Sequence, residues 1–255
     1  MRLDQYLVKN GLATGRDRAK EMILSGRVTV DGRVCKKPST DIDGGTVAAE
    51  GDGFVGRGAK KLEKAFDVFS LDVSGKICID SGASTGGFTE YMILSGAKKV
   101  YAVDVGHGQL AEKLRNDGRV VNLEGTDIRE LSLSEKCSFF ACDVSFISLK
   151  QVLGALYDLT DEAAGGVCLI KPQFEAGRAF LNKKGVVKDK KVQRSVVADI
   201  CAHALKTGFY PAGLTFSPVK GQNGNIEFLL YLKKEKTDFL FDAEKTVNEA
   251  WEVLL

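Results

Sequence analysis

The spacing of apolar residues changes near residue 58, and the change divides the chain in two. Before it, residues 2–9 and 15–25 carry apolar positions at helical spacing, the second stretch closing at Ser25-Gly26. Residues 27–34 then alternate apolar and polar around Asp31-Gly32, a pair suited to a two-residue hairpin turn, and 44–50 predicts one more strand. Residues 51–58 include Gly51, Gly53, Gly56 and Gly58 and read as a linker. The pattern therefore predicts a small α+β domain over 1–50 and a larger domain over 59–255.

In the larger domain, helical and strand patterns alternate. Helices are expected at 59–70, 86–95, 109–117 and 148–159, and strands at 76–81, 98–104, 119–123, 138–144 and 166–171. An irregular stretch, 174–191, precedes a helix at 192–207, strands near 210–217 and 225–233, and a peripheral helix at 241–254. Such an order predicts the α/β class, a Rossmann-like, doubly wound sheet covered by helices. No period of roughly 20–50 residues recurs, so a solenoid or propeller is excluded.

Composition adds a clue about partners. The net charge is only +2, but residues 1–40 hold nine Lys/Arg against four acids, a local surplus of 9 − 4 = +5. A basic module on a nearly neutral chain suits a polyanion such as RNA, with Arg2, Arg16, Arg18, Lys20, Arg27, Lys36 and Lys37 as candidate phosphate contacts. A second basic run, 175–191, has six Lys/Arg against two acids and reads as a mobile loop that grips RNA through Lys183 and Lys184. No apolar leader and no run of ~18 apolar residues is present, which predicts a cytoplasmic protein without a membrane partner. The six cysteines form no C-x-x-C pair, and several lie in strand-like runs, so buried reduced thiols are expected and no metal centre.

Chemistry concentrates at the ends of the predicted strands. Asp80-x-Gly82-x-x-x-Gly86-Gly87 joins a strand to a helix, with Ser84 where a dinucleotide fingerprint would place its second glycine. This departure favours S-adenosylmethionine, which has no pyrophosphate to cradle, and makes Asp80, Gly82, Ser84, Gly86, Gly87 and Phe88 candidate cofactor contacts. Asp104 ends the next strand, where a carboxylate can accept hydrogen bonds from both ribose hydroxyls. Asp127 suits the adenine edge, or simply caps a helical turn.

Asp143 follows the fourth strand without the Asn/Asp-Pro-Pro-aromatic sequence expected for amino-group methylation, while neighbouring Cys142 reads as core. Lys171 ends the fifth strand before a proline, and Glu227 interrupts an apolar run, where a buried carboxylate needs a cationic partner such as Lys171 or Lys61.

Lys61, Asp143, Lys171 and Glu227 together resemble the Lys-Asp-Lys-Glu tetrad of FtsJ-like ribose 2′-O-methyltransferases. The chain is similar over residues 1–233 to the TlyA family, in Arg2–Leu7, Ser25–Gly32, Val55–Leu62, Asp80–Thr89, Cys142–Leu149, Ile170–Glu175 and Gly221–Phe228. The resemblance implies an alpha-L RNA-binding domain joined to an FtsJ-like domain, with S-adenosylmethionine as cofactor. It also implies ribosomal RNA or ribosomal subunits as partner and a cytidine ribose 2′-hydroxyl as acceptor. Family members often carry the label haemolysin. Relatives frequently have His where this chain has Lys60, which leaves Lys60 and Lys61 both as candidates for the site. The implied mechanism uses Lys171 as base, its pKa lowered by Lys61, with Asp143 and Glu227 orienting the amines and no metal. Two alternatives remain at this level. A non-catalytic RNA-binding or ribosome-assembly factor would not need Lys171 and Glu227 together, and a small-molecule methyltransferase leaves the basic first domain unexplained. The target nucleotide, the subunit and the oligomeric state stay open.

Overall fold

The computed structural model describes residues 1–13, 15–49 and 54–255, apart from the side chains of Asp17 and Arg18. The expected RNA contact of Arg18 and most of the first half of the linker lie outside the described residues. Two compact units result, Met1–Gly56 and Arg57–Leu255.

In the first unit, helices α1 (Leu3–Lys9) and α2 (Arg16–Leu24) accompany strands β1 (Val28–Val30), β2 (Arg33–Val34) and β3 (Val47–Ala49), ordered β2-β1-β3. Asp31 and Gly32 both adopt positive φ, 49° and 76°, and close the β1–β2 hairpin as their sequence predicts. Leu3, Leu7, Ala19, Met22, Ile23 and Val28 form this unit's own core.

The second unit is a seven-stranded sheet in the order β6-β5-β4-β7-β8-β10-β9. Its strands are β4 (Ile77–Ser81), β5 (Lys99–Asp104), β6 (Val120–Glu124), β7 (Cys137–Cys142), β8 (Thr160–Ile170), β9 (Tyr210–Phe216) and β10 (Phe228–Lys233). The first five pair in parallel, whereas β10 runs antiparallel to both of its neighbours. Helices α3 (Gly58–Phe69) and α4 (Gly87–Leu94) cover one face through Leu62, Phe66, Phe88 and Met92. On the other face, α6 (Leu153–Leu159), α8 (Lys190–Thr207) and α9 (Ala243–Leu254) bury Leu156, Val197, Ile200 and Val247. Such side chains each contribute about 2–3 kcal/mol by leaving water.

Three local expectations need correction. Helix α5 (Glu112–Arg115) is shorter than 109–117, because the Glu124 carboxylate accepts the backbone N–H groups of Gln109 and Leu110 and holds them in a loop. The stretch 174–191 is not wholly irregular: α7 (Pro172–Glu175) begins it, and side chains of Asn182, Asn223 and Asn225 bond the backbone between Lys184 and Val187. Helix α9 is not peripheral, since Val247 and Ala250 are fully buried.

Candidate active site

From β4 the chain moves outward to β5 and β6, then returns to β7 on the other side of β4. Loops leaving β4 and β7 therefore diverge, which opens a crevice at the carboxyl ends of the parallel strands. A cleft of about 730 Å³ occupies that position, bordered by Gly82, Ser84, Asp104, Asp127, Asp143 and Phe146. This volume is of the size that takes a nucleoside-like ligand.

Asp104 ends β5 at the cleft and accepts the backbone N–H of Ser84 (2.8 Å) on one oxygen and that of Gly106 (2.7 Å) on the other. A carboxylate has about four acceptor positions, so two stay available, enough for a pair of ribose hydroxyls. Asp127 lines the cleft and also caps the turn Ile128–Glu130, accepting the N–H and guanidinium of Arg129, which hold its carboxyl below the usual range. The donor set and the volume fit S-adenosylmethionine.

Other expected cofactor contacts lie behind the cleft. Phe88 is buried in the core under α3, and Asp80 is buried in β4, where it accepts the Thr89 hydroxyl at 2.7 Å. Gly86 (φ 95°) passes so close to Leu110 and Leu114 that a Cβ would collide with them, and Gly87 lets the backbones of α4 and α3 touch. These glycines let chain pack closely against chain, and they are not among the residues that border the cleft. Gly82 (φ 83°) does border the cleft, and a Cβ there would come within 2.7 Å of the Asp143 carbonyl oxygen.

Beside the cleft, four charged side chains converge from four elements. Lys61 of α3 donates to Glu227, which immediately precedes β10, at 2.9 Å and to Asp143, which follows β7, at 3.5 Å. Lys171, at the end of β8, meets the other oxygen of Asp143 at 2.5 Å and donates to Ser145 Oγ at 2.8 Å. The side chains of Lys61, Lys171 and Glu227 are only 10%, 9% and 2% exposed, a burial that unpaired charges could not bear. Burial alone would lower the Lys61 pKa, but Asp143 and Glu227 outweigh it and hold the ammonium charged. Burial would likewise raise Asp143, yet Lys61 and Lys171 bring it below the ordinary carboxylate value.

Comparison with known proteins gives this arrangement a context. A model of FtsJ-like methyltransferases matches residues 54–234, and a model of the S4 domain matches 1–47. A protein of Mycobacterium tuberculosis named 16S/23S rRNA (cytidine-2′-O)-methyltransferase TlyA is 42% identical, over 95% of this chain and 93% of its own length. The chain belongs to the TlyA family of FtsJ-like methyltransferases. Hemolysin A of Brachyspira hyodysenteriae is 40% identical over 91% of this chain and 99% of its own. The solved structure of a hemolysin candidate from Streptococcus thermophilus matches with a TM-score of 0.82 at 41% identity, covering 99% of this chain and 96% of that one. Despite that label, no helix among the described residues is long and apolar enough to cross a membrane.

Of the two candidate lysines, Lys61 rather than Lys60 makes the contacts to both Asp143 and Glu227. Sequence reading missed three supports. Ser145 fixes Lys171, Gln173 donates to Glu227 at 3.0 Å, and Gly221 leaves room that a Cβ would fill within 1.9 Å of Glu227 Oε1. It missed an aromatic pair as well: Phe146, 86% exposed at the cleft rim with φ 64°, lies 5.1 Å centroid to centroid from Phe174. A positive φ at a bulky residue costs on the order of 1–3 kcal/mol and persists only where neighbouring contacts impose it.

The expected RNA contacts divide by environment. In the first unit, Arg2 and Arg16 pair with the buried Asp4, and Arg27 pairs with Glu21, so part of their charge is used internally. Lys20 is half-buried, whereas Lys36, Lys37, Lys183 and Lys184 are exposed.

Proposed function

We propose that this protein methylates a cytidine ribose 2′-hydroxyl in ribosomal RNA, using S-adenosylmethionine held in the cleft. The observation that carries the reading is the convergence of Lys61, Asp143, Lys171 and Glu227 beside that cleft. Bound there, S-adenosylmethionine supplies an electrophilic methyl group. Asp104 orients the nucleoside through its free acceptor positions, and Asp127 sits where it can meet the adenine edge. Lys171 takes the proton of the 2′-hydroxyl, its amine aimed by Asp143 and Ser145. Lys61, kept charged by Asp143 and Glu227, stabilises the oxygen's developing negative charge.

RNA as acceptor is supported by the S4 domain, by the name of the Mycobacterium tuberculosis relative and by Phe146, whose exposed ring offers a base a stacking surface beside Lys171. The test combines the protein, labelled S-adenosylmethionine and ribosomal subunits lacking the modification, followed by mapping of methylated riboses. The expected outcome is a methylated cytidine with wild type and none with Lys171→Ala. Label on a base, or on no RNA, overturns the proposal.

A further inference from the structure

Directly after Lys171, α7 turns the chain back over the site, and its last three side chains each hold a different part of it. Gln173 bonds Glu227, Phe174 meets the ring of Phe146, and Glu175 reaches the segment that follows β7. There, Glu175 accepts the hydroxyl of Ser148 on one oxygen and the backbone N–H of Leu149, at 2.8 Å, on the other.

The segment between Cys142 and Leu149 carries Asp143, Ser145 and Phe146. Its first end is fixed by the sheet, since Cys142 pairs with Ser81 and Cys168. The far end is fixed by Glu175, and between the two Phe146 keeps its strained φ of 64°. A strained residue relaxes when either side is released. Glu175 is half-buried, and burial pushes its pKa up, so a carboxyl here is unfavourable unless the bonds it accepts matter.

We propose that Glu175 is a positioning residue for methyl transfer: by clamping Ser148 and Leu149 it keeps Asp143, Ser145 and Phe146 in register with Lys171. This role rests on the methyltransferase reading of the site. Glu175 itself touches neither the tetrad nor the cleft lining in any contact described, so it acts through the segment it holds.

The experiment uses the full chain as wild type, Glu175→Ala, Glu175→Gln, Phe146→Ala and the Glu175→Ala/Phe146→Ala double variant. Three quantities are measured: hydrogen exchange at the Leu149 amide, S-adenosylmethionine affinity by calorimetry, and kcat and KM on ribosomal subunits. In Glu175→Ala the Leu149 amide should lose protection and kcat should fall roughly 10- to 100-fold, the scale of a slightly misplaced reacting group, while cofactor affinity stays within about twofold. Glu175→Gln keeps an amide oxygen for Leu149 and should recover most of the turnover. The double variant should lose less than the product of the two single losses, because both act on Phe146. Unchanged kcat in Glu175→Ala, an equal loss of cofactor affinity, or fully multiplicative losses overturns the positioning role. A wild-type protein that methylates no ribosomal RNA overturns the functional reading itself, and that result is seen before any variant is compared.

Discussion

Asp80 is fully buried, with one oxygen on Thr89 and the other without a hydrogen-bond partner among the described residues. Burial pushes its carboxyl up from 3.8 to about 7. As pH rises from about 4 to about 7 the unfolded chain gives up this proton first, so the folded state loses stability across that window, by up to about 4 kcal/mol. Asp80→Asn should therefore melt higher than wild type at pH 7.5, with the two converging near pH 4, as scanning calorimetry at both values will show. Asp104→Ala is expected to keep the overall fold and bind S-adenosylmethionine roughly 100- to 10,000-fold more weakly, because two ribose hydrogen bonds to a charged group are lost, each worth roughly 1.5–3 kcal/mol. Isothermal titration on the folded variant checks it. Lys171→Ala should bind cofactor as wild type does while single-turnover transfer falls by at least about 100-fold. Asp143, Lys171 and Glu227 stood out in the sequence because each marks a strand end or breaks an apolar run, whereas Lys61, inside a helix beside Lys60, was singled out only by the family resemblance. Ser145, in a loop, and Gln173, in the four-residue α7, are ordinary polar residues in no periodic pattern, and only the folded chain reveals their partners.

Among the elements, strands with continuous apolar runs were read correctly, and errors fell where the signal was absent. Strand β8 begins at Thr160, six residues before the apolar run, because Asp161, Glu162 and Ala163 continue the strand without a buried pattern. Helix α7 has only four residues and opens with proline, too short for any periodicity to show. The glycines between β4 and α4 were read for a ligand, but two of them serve helix packing, a distinction that one-dimensional spacing does not contain. Packing of that kind makes a prediction at this scale. In Gly87→Ala the new Cβ would lie 3.1 Å from Ala59 N and 3.2 Å from Gly58 Cα, so α3 must shift by a few tenths of an ångström. Because α3 carries Lys61, turnover should fall several-fold and the melting temperature by a few degrees, the cost of about 1 kcal/mol of overpacking. Paired calorimetry and transfer assays report both.

At the scale of the whole molecule, each unit has its own apolar core. Residues 57–255 should therefore fold and bind S-adenosylmethionine alone, yet methylate ribosomal substrate poorly, since exposed cations such as Lys36 and Lys37 stay behind. Full-chain affinity for RNA should fall steeply with salt, by a log–log slope of roughly 0.7–0.9 per phosphate contact, and filter binding across a salt series measures it. A fragment as active as the full chain would remove the first unit from substrate binding. One property of the sheet bears on how such an enzyme can diversify. Because β10 runs against its neighbours, Glu227 stands at the start of its strand, while Lys171 stands at the end of β8 on the same rim. Loops that follow β4, β5, β7 and β8 go on to helices. The loop between β9 and β10 carries no such duty: it joins adjacent hydrogen-bonded strands and delivers its last residue to the reacting groups. Insertions there can reshape what the enzyme accepts while every helix and every strand pairing stays as it is.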